Sequence, residues 1–483
     1  MIAGFVVAPL LVRRLGTTGY GLWIVIGSLS GYFGLLDLGL RGSVGRQLAF
    51  HRARSDHEAT NRTLSSAFAI LGSLGIFIVL ATLIAAGLFD RIFQPPVDLI
   101  DDARLALLIV GLNLAITFPL QVFDGNLWAA QRFDILNLVD IPMTIARVAL
   151  TFAVVRDASD IVLLATLTLL ITAGSGAIKA AVSFRQDPSL RIRPRFVSRD
   201  TSRGLFGYGW WSFVLTMARL TKTQLSPILI GAQLGIPFVT PYSIARRLQD
   251  YAHRVLWTAT GVAVPIATGF HARAEISQQQ NLFIEGGKYA TVAAIYFVAF
   301  FACLGRTLIG LWMGPAFMSA SVLLLVLSLG EFVQMTQSLT GSIILATARH
   351  KVVALVAVLE TAISVILVAI VVQPYGLFGV CLALAVPQVL FSGLGTMIYG
   401  CKVTKVSVAE YLKKAVLPAV TAGAVPVALL GIITRWNMPS AWGPFLLYSA
   451  VYSLLYFAAC VIVLRPPLGV AALTDLKTAL FRS

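Results

Sequence analysis

Long apolar stretches separated by short connections run through almost the whole of this 483-residue chain. A transmembrane helix needs about 20 predominantly apolar residues, and a bilayer core admits only structures that pair their backbone groups internally. Hydrophobic residues make up 58% of the chain and charged residues 12%, whereas an ordinary soluble domain is about a quarter charged. The sequence therefore predicts an all-α polytopic membrane protein.

Fourteen of these stretches are predicted to cross the membrane as helices. They are residues 1–15, 21–45, 64–89, 104–124, 134–155, 160–183, 204–231, 237–268, 286–313, 319–346, 351–373, 376–400, 412–434 and 443–464. The chain opens directly into the first apolar run, with no basic segment or small-residue cleavage site, so we expect no cleavable signal peptide.

Lysine and arginine residues are unequally divided between alternate connections. With the N-terminus inside, one set of connections holds 23 of them, Lys179 included, and the opposite set holds 7. Because cytoplasmic connections are enriched in Lys and Arg, we expect both termini to be cytoplasmic. The net charge of +16 then reflects orientation signals and contacts with lipid headgroups. Membrane lipids are expected partners, and nucleic acid is not.

The longest connection, at residues 186–203, is basic and divides the chain. We expect residues 1–185 to form an N-terminal lobe of six helices and residues 204–400 to form a C-terminal lobe of six. Residues 401–483 then supply two further helices and a cytoplasmic tail. The basic connection itself is a cytoplasmic linker between the lobes.

Two short motifs recur on either side of this linker. The motif at Pro9–Gly16 (PLLVRRLG) is similar to Pro227–Gly235 (PILIGAQLG), and Gly125–Arg132 (GNLWAAQR) is similar to Gly341–Arg349 (GSIILATAR). The copies are 216–219 residues apart, so two matches at nearly one offset favour a duplication of six helices. Since six is an even number, the lobes are parallel repeats, and paired repeats are a common architecture for alternating access.

The two apolar segments within residues 204–269 carry six charged side chains. These are Arg219, Lys222, Arg246, Arg247, Asp250 and Arg254. Charged groups at membrane depth are costly and usually face a partner or a water-filled cavity. Helical spacing puts the first two on one face and the other four on one side of the next helix. Ion pairing between packed helices is one interpretation. A cationic cleft that binds an anionic headgroup is favoured, because one anion cannot neutralise five cations.

Carboxylates in other predicted spans are candidates for coupling transport to an ion gradient. They are Asp37, Asp124, Asp140, Glu331 and Glu360, since a buried carboxylate in a transporter can titrate. Arg41 lies four residues after Asp37, so the two either pair or border the same cavity, and Arg41 is a further candidate substrate-binding residue. Asp140 has an alternative partner in Arg147, seven residues later.

The sequence predicts neither an enzyme nor a metal site nor a bound cofactor. The four cysteines have no paired spacing and the five histidines form no metal-ligand motif. No connection is long enough to hold a soluble catalytic domain. An H⁺ or Na⁺ gradient is the candidate driving force. Asn61-Arg62-Thr63 matches a glycosylation acceptor, but it falls in a predicted cytoplasmic connection and carries no weight.

The segment Pro9–Trp23 (PLLVRRLGTTGYGLW), followed by Leu35–Leu40 (LLDLGL), resembles the opening of bacterial polysaccharide transporters and O-antigen flippases. These belong to the multidrug/oligosaccharidyl-lipid/polysaccharide exporter superfamily. The resemblance extends along nearly the whole chain through the fourteen-helix plan and the repeat. The short first helix is where this sequence departs from the family pattern.

This resemblance implies movement of an undecaprenyl-diphosphate-linked oligosaccharide from the cytoplasmic to the periplasmic leaflet of a bacterial inner membrane. The expected partners are that lipid-linked substrate and a glycan polymerase or other proteins of the export pathway. The alternative is a multidrug or other lipid exporter of the same superfamily. Because multidrug substrates are commonly cationic, a positively charged cavity disfavours them. A membrane enzyme of glycan assembly is less favoured still.

Overall fold

The computed structural model describes residues 2–34, 40–206, 210–260, 269–270, 273, 275–346 and 350–464, and within them the chain is helical almost throughout and contains no strand. The α-helices are α1 (Ile2–Phe33), α2 (Leu40–Ala53), α3 (His57–Phe93), α4 (Ile100–Ala129), α5 (Phe133–Val154), α6 (Ile161–Gln186), α7 (Arg199–Phe206), α8 (Trp210–Gln233), α9 (Ile236–Thr260), α10 (Ile276–Met313), α11 (Ala320–Thr336), α12 (Ser338–Ala346), α13 (His350–Gln388), α14 (Thr396–Thr404), α15 (Val408–Tyr411), α16 (Leu417–Trp436) and α17 (Trp442–Leu464). Single π-helical segments join α13 to α14 and α15 to α16.

Eight helical segments in the described part of the chain are long and apolar enough to cross a membrane, or nine if the bent pair α11 and α12 counts as one span. One of them, Lys351–Thr404, has 54 residues, about 80 Å at 1.5 Å per residue, which is enough for two crossings. Helices α8 and α9 are also long enough to span a membrane, at 24 and 25 residues, but they are not among these eight apolar segments.

Large apolar side chains on these helices face outward. Leu138, Ile84 and Leu454 are 73%, 67% and 72% exposed, as expected for surfaces that contact lipid tails rather than water. The prediction of an all-α polytopic membrane protein is therefore confirmed. The number of fourteen crossings stays a prediction.

Two glycines at the repeated sequence motif adopt a left-handed backbone. Gly16 interrupts α1 with φ 69°, and Gly235 separates α8 from α9 with φ 105°, a region that residues with a Cβ rarely enter. Each follows a proline inside the preceding helix, Pro9 and Pro227 respectively. Both copies thus consist of a helix with an internal proline and a glycine break, which supports the predicted duplication.

The chain divides into two compact units. The first comprises Met1–Arg247 and His350–Pro387, and the second comprises Leu248–Arg349 and Gln388–Ser483. The chain therefore passes between units three times, within α9, at the start of α13 and at the end of α13. The lobes predicted from the sequence stay a prediction.

Each unit has its own apolar core. In the first unit, α2, α3 and α4 meet around Val44, Leu64 and Phe118. A Cβ at Gly75 of α3 would lie 2.6 Å from the carbonyl oxygen of Ala115 in α4, so glycine is what permits this close approach. In the second unit a corresponding core surrounds Phe283, Ile343, Met397, Cys401 and Tyr411.

The segment between α6 and α7 lies along α3. The Asn61 side chain donates to the Ser189 carbonyl at 3.0 Å and accepts from the Arg191 backbone N–H at 2.8 Å. Farther along, the Ser198 backbone N–H donates to the hydroxyl of Ser66 at 3.1 Å. These bonds hold residues 189–198, the centre of the predicted linker, against the first unit.

Candidate functional site

Helices α8 and α9 carry the six charged residues predicted to bind substrate. Arg219 on α8 is exposed, and so is Arg254 near the end of α9. On α9, Arg246 and Arg247 precede Asp250 by four and three residues, and Arg254 follows it by four. Since the whole span Ile236–Thr260 is helical, this spacing keeps the four side chains on one side of α9, as predicted.

Lys222 on α8 has a carboxylate partner that the sequence did not reveal. Its ammonium group donates to Glu360 on α13, with side-chain exposures of 12% and 4% respectively. Next to this pair, the Thr361 hydroxyl donates to the backbone carbonyl of Ala218 at 3.1 Å. Glu360 therefore neutralises one of the five cations that the sequence places on α8 and α9.

Arg247 contacts the aromatic ring of Tyr20. Its guanidinium carbon lies 5.6 Å from the centroid of that ring, within the range of a cation–π interaction. Tyr20 is buried in α1, so this contact holds the guanidinium end of the Arg247 side chain against α1. Arg246, Asp250 and Arg254 also have interaction partners.

Two of the candidate coupling carboxylates share one lysine. The Lys179 ammonium lies 2.7 Å from Asp124 and 2.7 Å from Asp140, and the lysine side chain is 8% exposed. The Ser175 hydroxyl also donates to Asp140, at 3.1 Å. The alternative pairing of Asp140 with Arg147 is therefore replaced by one with Lys179. The sequence count placed Lys179 in a connection, but α6 continues to Gln186 and contains it.

Glu331 on α11 is the centre of a buried polar network in the second unit. Its Oε2 accepts from the side-chain amide of Gln249 at 3.0 Å and from that of Gln388, and its Oε1 lies 2.8 Å from Nδ1 of His253. The Gln249 amide donates as well to the Leu327 carbonyl at 3.1 Å. The carboxylate thus joins α9, α11 and the end of α13.

The last two candidates fall at the edge of what the structure describes. Asp37 lies outside the described residues, and Arg41 is described only as part of α2, without its side chain. Their proposed roles stay predictions. Within the described residues, no group of three or more His, Cys, Asp or Glu side chains could hold a metal ion.

The sequence identified the candidate coupling carboxylates but not the side chains that contact them. Lys179, His253, Gln249 and Gln388 all contact a predicted coupling carboxylate. Lys179 and His253 could have been found, because each is an ionisable residue within or next to a long apolar segment. The two glutamines carry no comparable signal, since nothing in the sequence marks which helices will pack together.

The chain matches the model of the polysaccharide biosynthesis protein family over residues 1–271, more than half of its length. It is 24% identical over 462 residues to the "Uncharacterized membrane protein EpsK" of Bacillus subtilis (strain 168), covering 93% of this chain and 90% of that protein. It is 25% identical over 407 residues to the "Putative O-antigen transporter" of Shigella flexneri, covering 79% of this chain and 89% of that one.

Two solved structures have the same fold. The lipid II flippase MurJ in an inward closed conformation matches with a TM-score of 0.70 and 15% identity, covering 96% of each chain. An inward-facing multidrug resistance transporter of the MATE family matches with a TM-score of 0.68 and 14% identity, covering 83% of this chain and 97% of the other.

The relatives and neighbours whose names state a role are named as transporters or flippases, not as enzymes, which agrees with the prediction that this chain is not an enzyme. The fold is that of the MOP superfamily, to which the matched multidrug transporter belongs. The match over residues 1–271 establishes that the chain belongs to the polysaccharide biosynthesis protein family.

Proposed function

We propose that this protein is a flippase that moves an undecaprenyl-diphosphate-linked oligosaccharide from the cytoplasmic to the periplasmic leaflet of a bacterial inner membrane. Family membership supports transport of a polysaccharide precursor. The name of the Shigella flexneri relative and the fold shared with a lipid II flippase support a lipid-linked substrate. Both termini are then cytoplasmic, in keeping with the distribution of Lys and Arg.

The exposure of Arg219 is the observation that carries the mechanism. Arg219 lies in the middle of the 24-residue helix α8 and is exposed. An arginine facing hydrocarbon at that depth would be costly, so a water-filled cavity is the environment that suits it. The other cations of α8 and α9 follow at helical spacing. Together they supply the lining of a path for an anion.

A diphosphate is an anionic group that suits arginine well. The planar guanidinium donates two parallel hydrogen bonds to phosphate oxygens and stays charged when partly desolvated. Lys222 is paired with Glu360, and the other four cations on these helices are arginines. We therefore assign substrate contact first to Arg219, Arg246, Arg247 and Arg254, with Lys222, Asp250 and Arg41 bordering the same path.

Transport proceeds in this proposal by alternating access of two lobes, driven by an H⁺ or Na⁺ gradient. The repeated proline and glycine breaks at Gly16 and Gly235 supply points where helices can change direction. The carboxylates paired with Lys179, Lys222 and His253 are the groups through which an ion could act, because their pairing changes when they take up a proton.

The test replaces Arg219, Arg246, Arg247 and Arg254 singly with Gln in a cell whose surface glycan depends on this protein. We expect each variant to reach normal membrane abundance and to lower glycan export by about tenfold, the effect of losing one charge-assisted hydrogen bond. Arg435→Gln is the matched control, since Arg435 is exposed at the end of α16. Full export by all four variants at normal abundance contradicts the proposal.

A multidrug exporter is the second candidate, because the MATE transporter matches the fold about as well as MurJ does. The surplus of cations on α8 and α9 disfavours it, since a cationic drug would be repelled. Reconstituted vesicles distinguish the two directly. Flipping of a lipid-diphosphate oligosaccharide without uptake of a cationic dye supports the flippase, and the reverse result supports the multidrug exporter.

A further inference from the structure

A cavity of about 290 Å³ lies where α2, α4 and α6 end and α5 begins, within the first unit. Its lining residues are Arg52, Asn126, Ala130, Arg132, Ser183, Gln186 and Asp187. The volume is roughly ten times the ~30 Å³ share of one water molecule. It is separate from α8 and α9, and it contains part of the repeated motif at Gly125–Arg132. We call it the Arg52 pocket.

Two buried polar atoms in the Arg52 pocket have no hydrogen-bond partner. They are Nε of Arg52 and the hydroxyl of Ser183, and Ser183 is only 1% exposed. Buried polar atoms are almost always hydrogen-bonded, and leaving one unpaired is costly. Both residues line the cavity although the two atoms themselves are enclosed, so a small side-chain rotation would turn them towards a ligand that supplies the missing acceptor.

The remaining hydrogen bonds of the pocket explain why the ligand should be an acceptor. One terminal nitrogen of Arg52 donates to the Asn126 side-chain oxygen at 3.0 Å and to Asp187 at 3.2 Å. The Asn126 oxygen is thereby used, while the Arg52 Nε is not. Asp187 also accepts from Ser189, so the carboxylate in the lining is already occupied.

A second arginine stands at the rim of the pocket. Arg132 is exposed and donates through Nε and a terminal nitrogen to Asp134 at 2.9 and 2.8 Å. These bonds raise the pKa of Arg132 further above its usual value, so the rim is always charged. The second terminal nitrogen of Arg132 takes no part in these two hydrogen bonds. A ligand carrying several acceptor oxygens and negative charge fits this arrangement.

We propose that the Arg52 pocket binds a phosphate group, with Arg52 and Ser183 as its buried donors and Arg132 at its entrance. Phosphate offers acceptor oxygens without donors, which matches the unused Nε and hydroxyl. The source is either a lipid headgroup or a soluble phosphate compound. The helix ends that form the pocket belong to the predicted cytoplasmic side, so a headgroup would come from the cytoplasmic leaflet. The proposal does not rest on the flippase function, because it concerns binding at a different place.

The test uses the full-length protein and two probes. In detergent, sodium pyrophosphate is titrated at constant ionic strength and thermal unfolding is followed. In nanodiscs, unfolding is compared between phosphatidylcholine alone and phosphatidylcholine with phosphatidylglycerol. The variants are Arg52→Gln and Ser183→Ala. Arg62→Gln is the control, because Arg62 forms an exposed pair with Glu58 outside the pocket.

We expect at least one probe to stabilise the wild-type protein and the Arg62→Gln variant alike. Arg52→Gln should weaken that binding by about tenfold, as loss of a charged hydrogen bond does. Ser183→Ala should weaken it by a smaller factor while leaving the unliganded protein as stable as before or more so. A merely structural hydroxyl would not give that last result.

The two probes also identify the source. A pyrophosphate effect that depends on Arg52 and Ser183 assigns a soluble phosphate compound. An effect confined to phosphatidylglycerol nanodiscs assigns a lipid headgroup. The proposal is overturned if neither probe separates the pocket variants from Arg62→Gln, or if Ser183→Ala destabilises the unliganded protein.

Discussion

Lys222 on α8 donates to Glu360 on α13, and both side chains are almost completely buried. The sequence assigned these two residues to different tasks, substrate binding and ion coupling, yet they form one ion pair. A buried pair costs desolvation energy and is often replaceable by apolar residues, but removing one partner is strongly destabilising. Substitutions at this pair can therefore separate its contribution to stability from its contribution to transport.

We predict that Lys222→Met lowers stability by about 3–5 kcal/mol, because Glu360 stays buried after the opposite charge of Lys222 is removed. The double variant with Glu360→Met should recover most of that loss. The measurement is thermal unfolding of the purified protein in detergent. Glycan export by the stable double variant then reports on function alone. If Lys222 or Glu360 acts in transport, export stays low although stability returns. Normal export would limit the pair to a structural role.

Lys179 should be less dispensable than either of its two partners. Without the lysine, the like charges of Asp124 and Asp140 face each other at close range and repel. Asp140 is 53% exposed on its side chain whereas Lys179 is 8% exposed. We therefore predict that Lys179→Met lowers stability by about 1–3 kcal/mol and that Asp140→Asn has less than half that effect. Lys179→Arg is the control, since it keeps the charge. Equal losses for Met and Asn would contradict this account.

Glu331 should not tolerate replacement by its own amide. Oε2 accepts from the side-chain amides of Gln249 and Gln388, and Oε1 lies beside Nδ1 of His253. Glu331→Gln removes the negative charge that these groups face, and its NH₂ fits beside His253 only after that imidazole changes tautomer. We predict a loss of about 1–3 kcal/mol in the free energy of unfolding. Glu285→Gln is the control, because Glu285 is 47% exposed beside Lys288 and exposed pairs contribute about 0–1 kcal/mol. Equal stability of the two variants would mean that the amides reorient at no cost.

The sequence predicted the membrane fold well because hydropathy is a property of single segments. Helix α3, at His57–Phe93, contains the predicted span 64–89, and α10, at Ile276–Met313, contains 286–313. The same method could not find where a helix ends when its last turns are polar. Helix α6 therefore extends past the predicted end at residue 183, to Gln186. Lys179 lay inside the predicted span 160–183 and was nevertheless counted with the connections.

The sequence predicted single residues of the candidate site but not the contacts between them. An arginine or carboxylate in an apolar segment is visible in the sequence, and Arg219, Glu331 and Glu360 were all identified in this way. Which charges neutralise each other depends on contacts between helices far apart in the chain, such as Lys222 with Glu360 across 138 positions. For the same reason the Arg52 pocket, built from the ends of separate helices, left no sequence pattern.

Asn61 should control how firmly the segment between α6 and α7 is held. It is 7% exposed and makes both of its hydrogen bonds to the backbone of Ser189 and Arg191. This role explains a residue that the sequence presented only as part of a glycosylation motif.

Asn61→Ala leaves the Ser189 carbonyl and the Arg191 N–H without these hydrogen bonds. We predict that trypsin then cleaves after Arg191 and Arg195 about ten times faster, because two hydrogen bonds of about 0.5–1.5 kcal/mol no longer oppose local opening. Cleavage is followed by gel electrophoresis of the native protein. Asn437→Ala, at an exposed asparagine after α16, is the control. An unchanged rate for Asn61→Ala would show that the serines of α3 hold the segment without it.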